Sequence, residues 1–260
     1  MKSKSWKAQQ PSTDMPTGDK TNLKQVLRDE CLPALGGQSK YYNMGAVKVW
    51  LQRRKLRCPA ATLNSYLHEF TRGGLVFDAG RGWYSSLATA FTLNQEPVSC
   101  LVQELNKTFP LVEFSCWSTE QIKGAMHHLL SRFVTFVNVE ADAMESVWEH
   151  LRDTGWDAWL NPRGAEAARF AVRERTVVVR HESRKSPSKQ PFASIEKLLV
   201  ELCFEARDLQ LMALSEFHAM LANLAGTNRI RMGTLIGYAT DRKLPLLELF
   251  GDKNQLTPPF

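Results

Sequence analysis

Apolar positions repeat with a helical period near both ends of the chain and as β-like runs in its middle. The clearest helical pattern covers Ala60 to Arg72. There Leu63, Tyr66, Leu67 and Phe70 recur at i, i+3, i+4 and i+7 and make one apolar face. Ala61, Ser65, His68 and Arg72 lie opposite, with Asn64 and Glu69 on the flanks. Gly45 to Arg54 predicts a shorter amphipathic helix, Lys55 to Pro59 a basic turn, and Gly73-Gly74 a stop. Leu75 to Leu87 predicts two short strands around Ala79-Gly80-Arg81-Gly82. Upstream, Asn22 to Leu32 predicts a helix with Leu23, Val26, Leu27 and Cys31 on its apolar side, ended by Pro33. Residues 1–20 are polar and predict a disordered basic arm.

After a connector from Thr89 to Glu96 the pattern changes. Pro97 to Phe109 predicts a helix and Leu111 to Cys116 a strand, and Ser118 or Thr119 is placed to cap a helix running to His127. Phe133–Val139 and Thr176–His181 are β-branched strands. Between them come a helix from Ala143 to Leu151, ended at Gly155, a strand from Trp156 to Leu160, and a turn at Asn161–Gly164. Beyond a polar loop from Arg184 to Pro191, helices are expected over Ile195–Phe204, Ser215–Leu224 and Arg229–Arg242.

The fold class expected is therefore α+β. It comprises an N-terminal winged helix-turn-helix (21–93) after the arm (1–20), then a small α/β domain with a partly parallel sheet and a helical C-terminal part (94–260). Helix, turn, helix and hairpin in that order form a DNA-reading module. Small and hydrogen-bonding side chains opposite the apolar face of 60–72 suit a helix in a major groove. Thr62, Asn64, Ser65, His68 and Arg72 are the candidates for bases or sugar, and Arg53, Arg54, Lys55 and Arg57 for phosphates. Arg81, between two glycines at the hairpin tip, is the candidate wing contact.

Charge sharpens this assignment. The chain of 260 residues carries +6, yet residues 1–90 hold 14 Lys+Arg against 6 Asp+Glu and the remainder holds 19 against 21. The basic excess accompanies the expected helix-turn-helix and favours a polyanion. No run of about 18 apolar residues is present, so no membrane span is expected. The Lys- and Ser-rich N-terminus has no apolar core, which argues against a secretory signal. Cys31, Cys58, Cys100, Cys116 and Cys203 stand at no zinc spacing and read as reduced thiols of a cytoplasmic protein.

Catalytic patterns are incomplete. Glu113 and Glu140 stand at strand ends as in a metal-dependent nuclease, but no Lys follows two residues on. His127-His128 is a neighbour pair that points in two directions on a helix. No phosphate loop, nucleophile elbow or cofactor fingerprint is present, so no cofactor, metal or enzymatic activity is expected. Trp117, Trp148, Trp156 and Trp159 gather in the middle part and are expected in a core, with a partner surface as the sharper alternative. The stretch Leu209, Leu211, Met212 and Leu214 divides between packing and an interface in the same way.

Gly74-Leu75-Val76 running into Gly80-Arg81-Gly82-Trp83-Tyr84, and Trp117-Ser118-Thr119 followed by the Phe133–Glu140 and Asp142–Leu151 segments, resemble the AbiEi-type antitoxins of bacterial type IV toxin–antitoxin systems. The resemblance spans about residues 20–240. It implies a transcriptional autorepressor, active in phage defence, that binds an inverted repeat in its own promoter. It further implies that the C-terminal part counteracts a nucleotidyltransferase-like toxin. A homodimer is expected because one winged helix covers a short site. The alternatives are a protein-interaction module with a degenerate nuclease-like α/β domain, and a metal-dependent nuclease.

Overall fold

The computed structural model describes residues 22–126, 132–183, 186–187 and 191–251. The first turn, α1 (Leu23–Val26), passes through a π-helical turn at Leu27–Cys31 into α2 (Leu32–Gln38). Pro33 was expected to end this helix, but it occupies the first turn of α2. There its missing N–H is tolerated, and the wider turn just before it lets the helix restart.

The next elements are β1 (Tyr41–Asn43), α3 (Met44–Arg53), α4 (Ala60–Arg72), β2 (Phe77–Asp78) and β3 (Trp83–Ser85). The strands form an antiparallel sheet in the order β1-β3-β2, with Tyr42 opposite Tyr84 and Tyr84 opposite Asp78. β1 leaves no mark in the sequence pattern, because three residues are too few to show an alternation. Asn43 caps α3, its side chain accepting from the Ala46 N–H at 2.9 Å. α3 closes through Leu56 N–H to Leu51 O (3.0 Å) and Lys55 N–H to Gln52 O (2.9 Å), with Lys55 at φ +58°. Leu27, Tyr42, Val47, Leu51, Leu63, Leu67 and Phe70 share the core of this part.

The second sheet is built from β4 (Phe114–Ser118), β5 (Thr135–Val139), β6 (Asp157–Leu160) and β7 (Thr176–His181) in the order β4-β5-β7-β6. β4 runs antiparallel to β5, and β7 runs parallel to both β5 and β6, so the sheet is mixed. β4 begins three residues later than the pattern predicts, leaving Leu111 95% exposed. The helix expected from Ser118 is a 3-10 turn, Thr119–Ala125, closed by a capping box between Ser118 and Gln121; His127 and His128 lie outside the described residues.

Alternation along the strands sorts the core into two layers. Cys116, Val137, Val139, Val177 and Val179 meet α5 (Glu96–Thr108) and α6 (Met144–Asp153). Trp117, Phe136 and Val178 face α7 (Ile195–Asp208), α8 (Leu214–Thr227), α9 (Met232–Asp241) and α10 (Leu246–Phe250). Trp117 stacks on Phe136 at 4.1 Å between ring centres. Leu209 and Met212 are buried and Leu211 and Leu214 half-buried in this same layer, so the apolar stretch packs internally. Trp148, Trp156 and Trp159 are half-buried, Trp159 within β6 and Trp148 against it, donating its indole N–H to Ala158 O at 3.0 Å.

The second layer also holds charge. Ser115, Asn138 and Arg180 lie in one register row across β4, β5 and β7. Lys197, fully buried on α7, donates to Ser115 Oγ and both Glu182 oxygens at 2.6 Å. Arg180 forks onto Glu205 at 2.6 and 2.8 Å.

The same layer reaches back to the first sheet. Tyr41, Ala79 and Trp83 are buried in one cluster with the C-terminal helices. The Tyr41 hydroxyl donates to Asn228 O (2.9 Å) and accepts from the Ile230 N–H (3.0 Å). Burial pushes its pKa up to about 12.

Candidate nucleic-acid interface

The apolar side of α4 works as its pattern predicts, with Leu63, Leu67 and Phe70 buried and Tyr66 half-buried. This places Asn64, Ser65, His68 and Arg72 in solvent, and leaves Thr62 half-buried at the edge. Ser65, His68, Glu69 and Arg72 border one shallow depression, so most of the candidate reading residues do share a surface. Glu69 is the one anion there. Lys24 of α1 reaches across to pair with it, a neutralising contact that separation along the chain hid from the sequence.

Arg53, Arg54, Lys55 and Arg57 are all exposed around the turn between α3 and α4. Arg54 pairs with Glu30 and lies over the Trp50 ring at 4.4 Å, so its charge is partly answered within the protein. Among the described residues no ion pair engages Arg53, Lys55, Arg57 or Arg72. Positive groups left in water with no partner are what a phosphate backbone attracts.

The hairpin is held differently from a free wing. Its tip is seated on the start of α9, where the Gly233 N–H donates to Ala79 O at 2.9 Å. A Cβ on Gly233 would come within 2.0 Å of Gly80 O, so only glycine permits this approach. Arg81 is exposed at φ +44°, and its guanidinium leans along α9 beside Gly237. Arg229 donates to Leu87 O (2.9 Å) and Ala88 O (2.7 Å) and lies over Phe77. Residues 228–234 thus strap the first sheet to the C-terminal helices, a contact that no local periodicity signals.

The register places Glu113 and Glu140 at the same end of the β4–β5 pair, both exposed. Among the described residues no group of three His, Cys, Asp or Glu is placed to hold a metal. No described helix is long and apolar enough to cross a membrane.

A family model described as a family of unknown function, DUF6577, matches residues 62–247. The matched span opens inside α4 and takes in the hairpin, the second sheet and the strap. No curated protein matches the chain.

Proposed function

We propose that this chain, which belongs to the DUF6577 family of unknown function, binds duplex DNA through residues 22–87, used as a winged helix-turn-helix. The observation that carries the reading is the outer face of α4. Asn64, Ser65, His68 and Arg72 stand in solvent on a helix whose other face is buried, beside Arg53, Lys55 and Arg57, which lack ion pairs among the described residues. In this reading α4 enters the major groove, where short polar side chains reach base edges. The cations of the α3–α4 turn hold phosphates and set the register. Arg81 reaches the backbone from a tip fixed by α9, so it positions the protein without following the groove.

The narrower role rests on the resemblance to AbiEi-type antitoxins. It is an autorepressor that recognises an inverted repeat as a dimer and counters a nucleotidyltransferase-like toxin through the C-terminal part. A titration on the DNA upstream of the protein's own reading frame, with unrelated duplex as competitor, tests the DNA reading. Retained partner binding without any DNA binding would favour the interaction-module alternative instead.

A further inference from the structure

A cleft of about 760 Å³ opens where the first sheet meets the rest of the molecule. That is within the range of small-molecule sites, about 300–1,000 Å³, which gather at such junctions. Phe91 and Leu93 line it from the connector, Phe192 from the segment before α7, and Ile195 from the first turn of α7. Phe91, Leu93 and Phe192 are only half-buried, so the cleft presents apolar surface to water. Arg231 and Asp78 stand at its rim, with side chains 63% and 60% exposed, in a loose pair at 3.9 Å.

The lining sets two guanidiniums, Arg229 and Arg231, against two carboxylates, Asp78 and Glu196, and the exposed Arg231 is the cation a ligand can reach. Arg229, also in the lining, directs its guanidinium to the Leu87 and Ala88 carbonyls, which are neutral. The carboxylate of Glu196 already accepts the Arg231 backbone N–H at 2.9 Å. A ligand carboxylate would take the place of Asp78 on Arg231 at a closer approach than 3.9 Å, and the net gain would come from its apolar body covering the aromatic wall.

We propose that this cleft binds a small amphipathic anion, one apolar ring or chain bearing a single carboxylate or sulfonate, and that its occupancy regulates DNA binding. The regulatory half rests on the DNA reading above. Its basis is position. Asp78 belongs to β2, Arg229 and Arg231 belong to the strap, and Thr234 Oγ1 lies 3.0 Å from where a Cβ on Gly80 would sit. A ligand that draws Arg231 away from Asp78 therefore acts on the seat of the hairpin.

The test titrates the full chain with 1-anilinonaphthalene-8-sulfonate, an aromatic body with one sulfonate, and then competes it with decanoate. Saturable one-site fluorescence that decanoate displaces is expected. Arg231→Gln should weaken binding about tenfold, the worth of one charge-assisted contact. Thr92→Trp, which fills the cleft from an exposed position, should abolish binding, and Lys107→Ala, outside the lining, should leave it unchanged. Melting curves identify any variant that has not folded, and the two variants fail independently.

Binding without saturation, or binding indifferent to both Arg231→Gln and Thr92→Trp, overturns the site. Probe bound with DNA affinity shifted at least about fivefold supports the regulation. Probe bound with unchanged DNA affinity overturns the regulatory half. Probe bound by a chain that binds no DNA supports the site and refutes the DNA reading alone.

Discussion

Lys55 holds a left-handed conformation at φ +58° that glycine adopts without strain, and it does so at the C-terminus of α3, with its ammonium in water. Backbone role and side-chain role can be separated there. Lys55→Gly is expected to stay within about 1 kcal/mol of the parent in urea unfolding. By its proposed phosphate role it should still weaken binding on every DNA sequence and flatten the salt dependence. His68→Ala should behave oppositely in titrations on matched and unmatched duplexes. Discrimination should fall by about tenfold while binding to unrelated DNA stays near the parent value. Tyr41 sets a third expectation, in pH. Its pKa is raised from 10.0 to about 12, so the folded state holds the phenol proton more tightly. The stability this supplies is fully present below pH 10 and is lost as pH rises through 12, about 2–3 kcal/mol in all. Tyr41→Phe should lower stability at pH 8 by about 1–3 kcal/mol, since the Ile230 N–H and Asn228 O lose their partner. Between pH 9 and pH 12 the variant should then decline less than the parent in melting experiments.

At the scale of elements, the seat of the hairpin on α9 makes two glycines unequal. Gly233→Ala drives a methyl into backbone, the Gly80 carbonyl at 2.0 Å, and into the Trp83 ring at 2.7 Å. A loss of about 3 kcal/mol or more, or no folded protein, is expected. Gly237→Ala meets only the end of the Arg81 side chain, which can swing away, so thermal melts should show a change under about 1 kcal/mol. The elements themselves were largely legible. The i, i+3, i+4, i+7 set of α4 is its buried side apart from the half-buried Tyr66, and Thr176–His181 is β7 with both ends as predicted. Local periodicity carries such features because one face must find the core. It failed where the determinant is distant. β1 exists because Tyr41 and Tyr42 meet Ser85 and Tyr84, more than forty positions away. The π-turn before Pro33 and the 3-10 turn after Ser118 are departures in hydrogen-bond spacing that an apolar pattern does not encode. For the candidate interface, the exposed positions on α4 were readable, whereas the answered charges of Arg54 and Glu69 and the fixed seat of Arg81 required partners from elsewhere in the chain.

Over the whole molecule, a buried polar layer ties the mixed sheet to the helices that in turn hold the first sheet. Lys197 has no exposed surface and sits between Ser115 and Glu182, and burial pulls its pKa down. Its ammonium is sustained by the facing carboxylate, so Lys197→Met leaves Glu182 buried without a counter-charge. About 3–5 kcal/mol of unfolding free energy should be lost, and adding Glu182→Gln should restore part of it, as urea titrations of the single and double variants would show. On this architecture α4 is presented from a scaffold braced at both its sheets, as the proposed docking onto a rigid duplex requires. Fluorescence anisotropy on the protein's upstream DNA, with unrelated competitor and salt varied, tests that claim most directly. Tight binding is expected that survives competitor, loses sequence preference in His68→Ala, and loses affinity on all sequences in Arg57→Ala with a shallower salt slope. Binding that is weak, indifferent to sequence and unchanged by His68→Ala would contradict it.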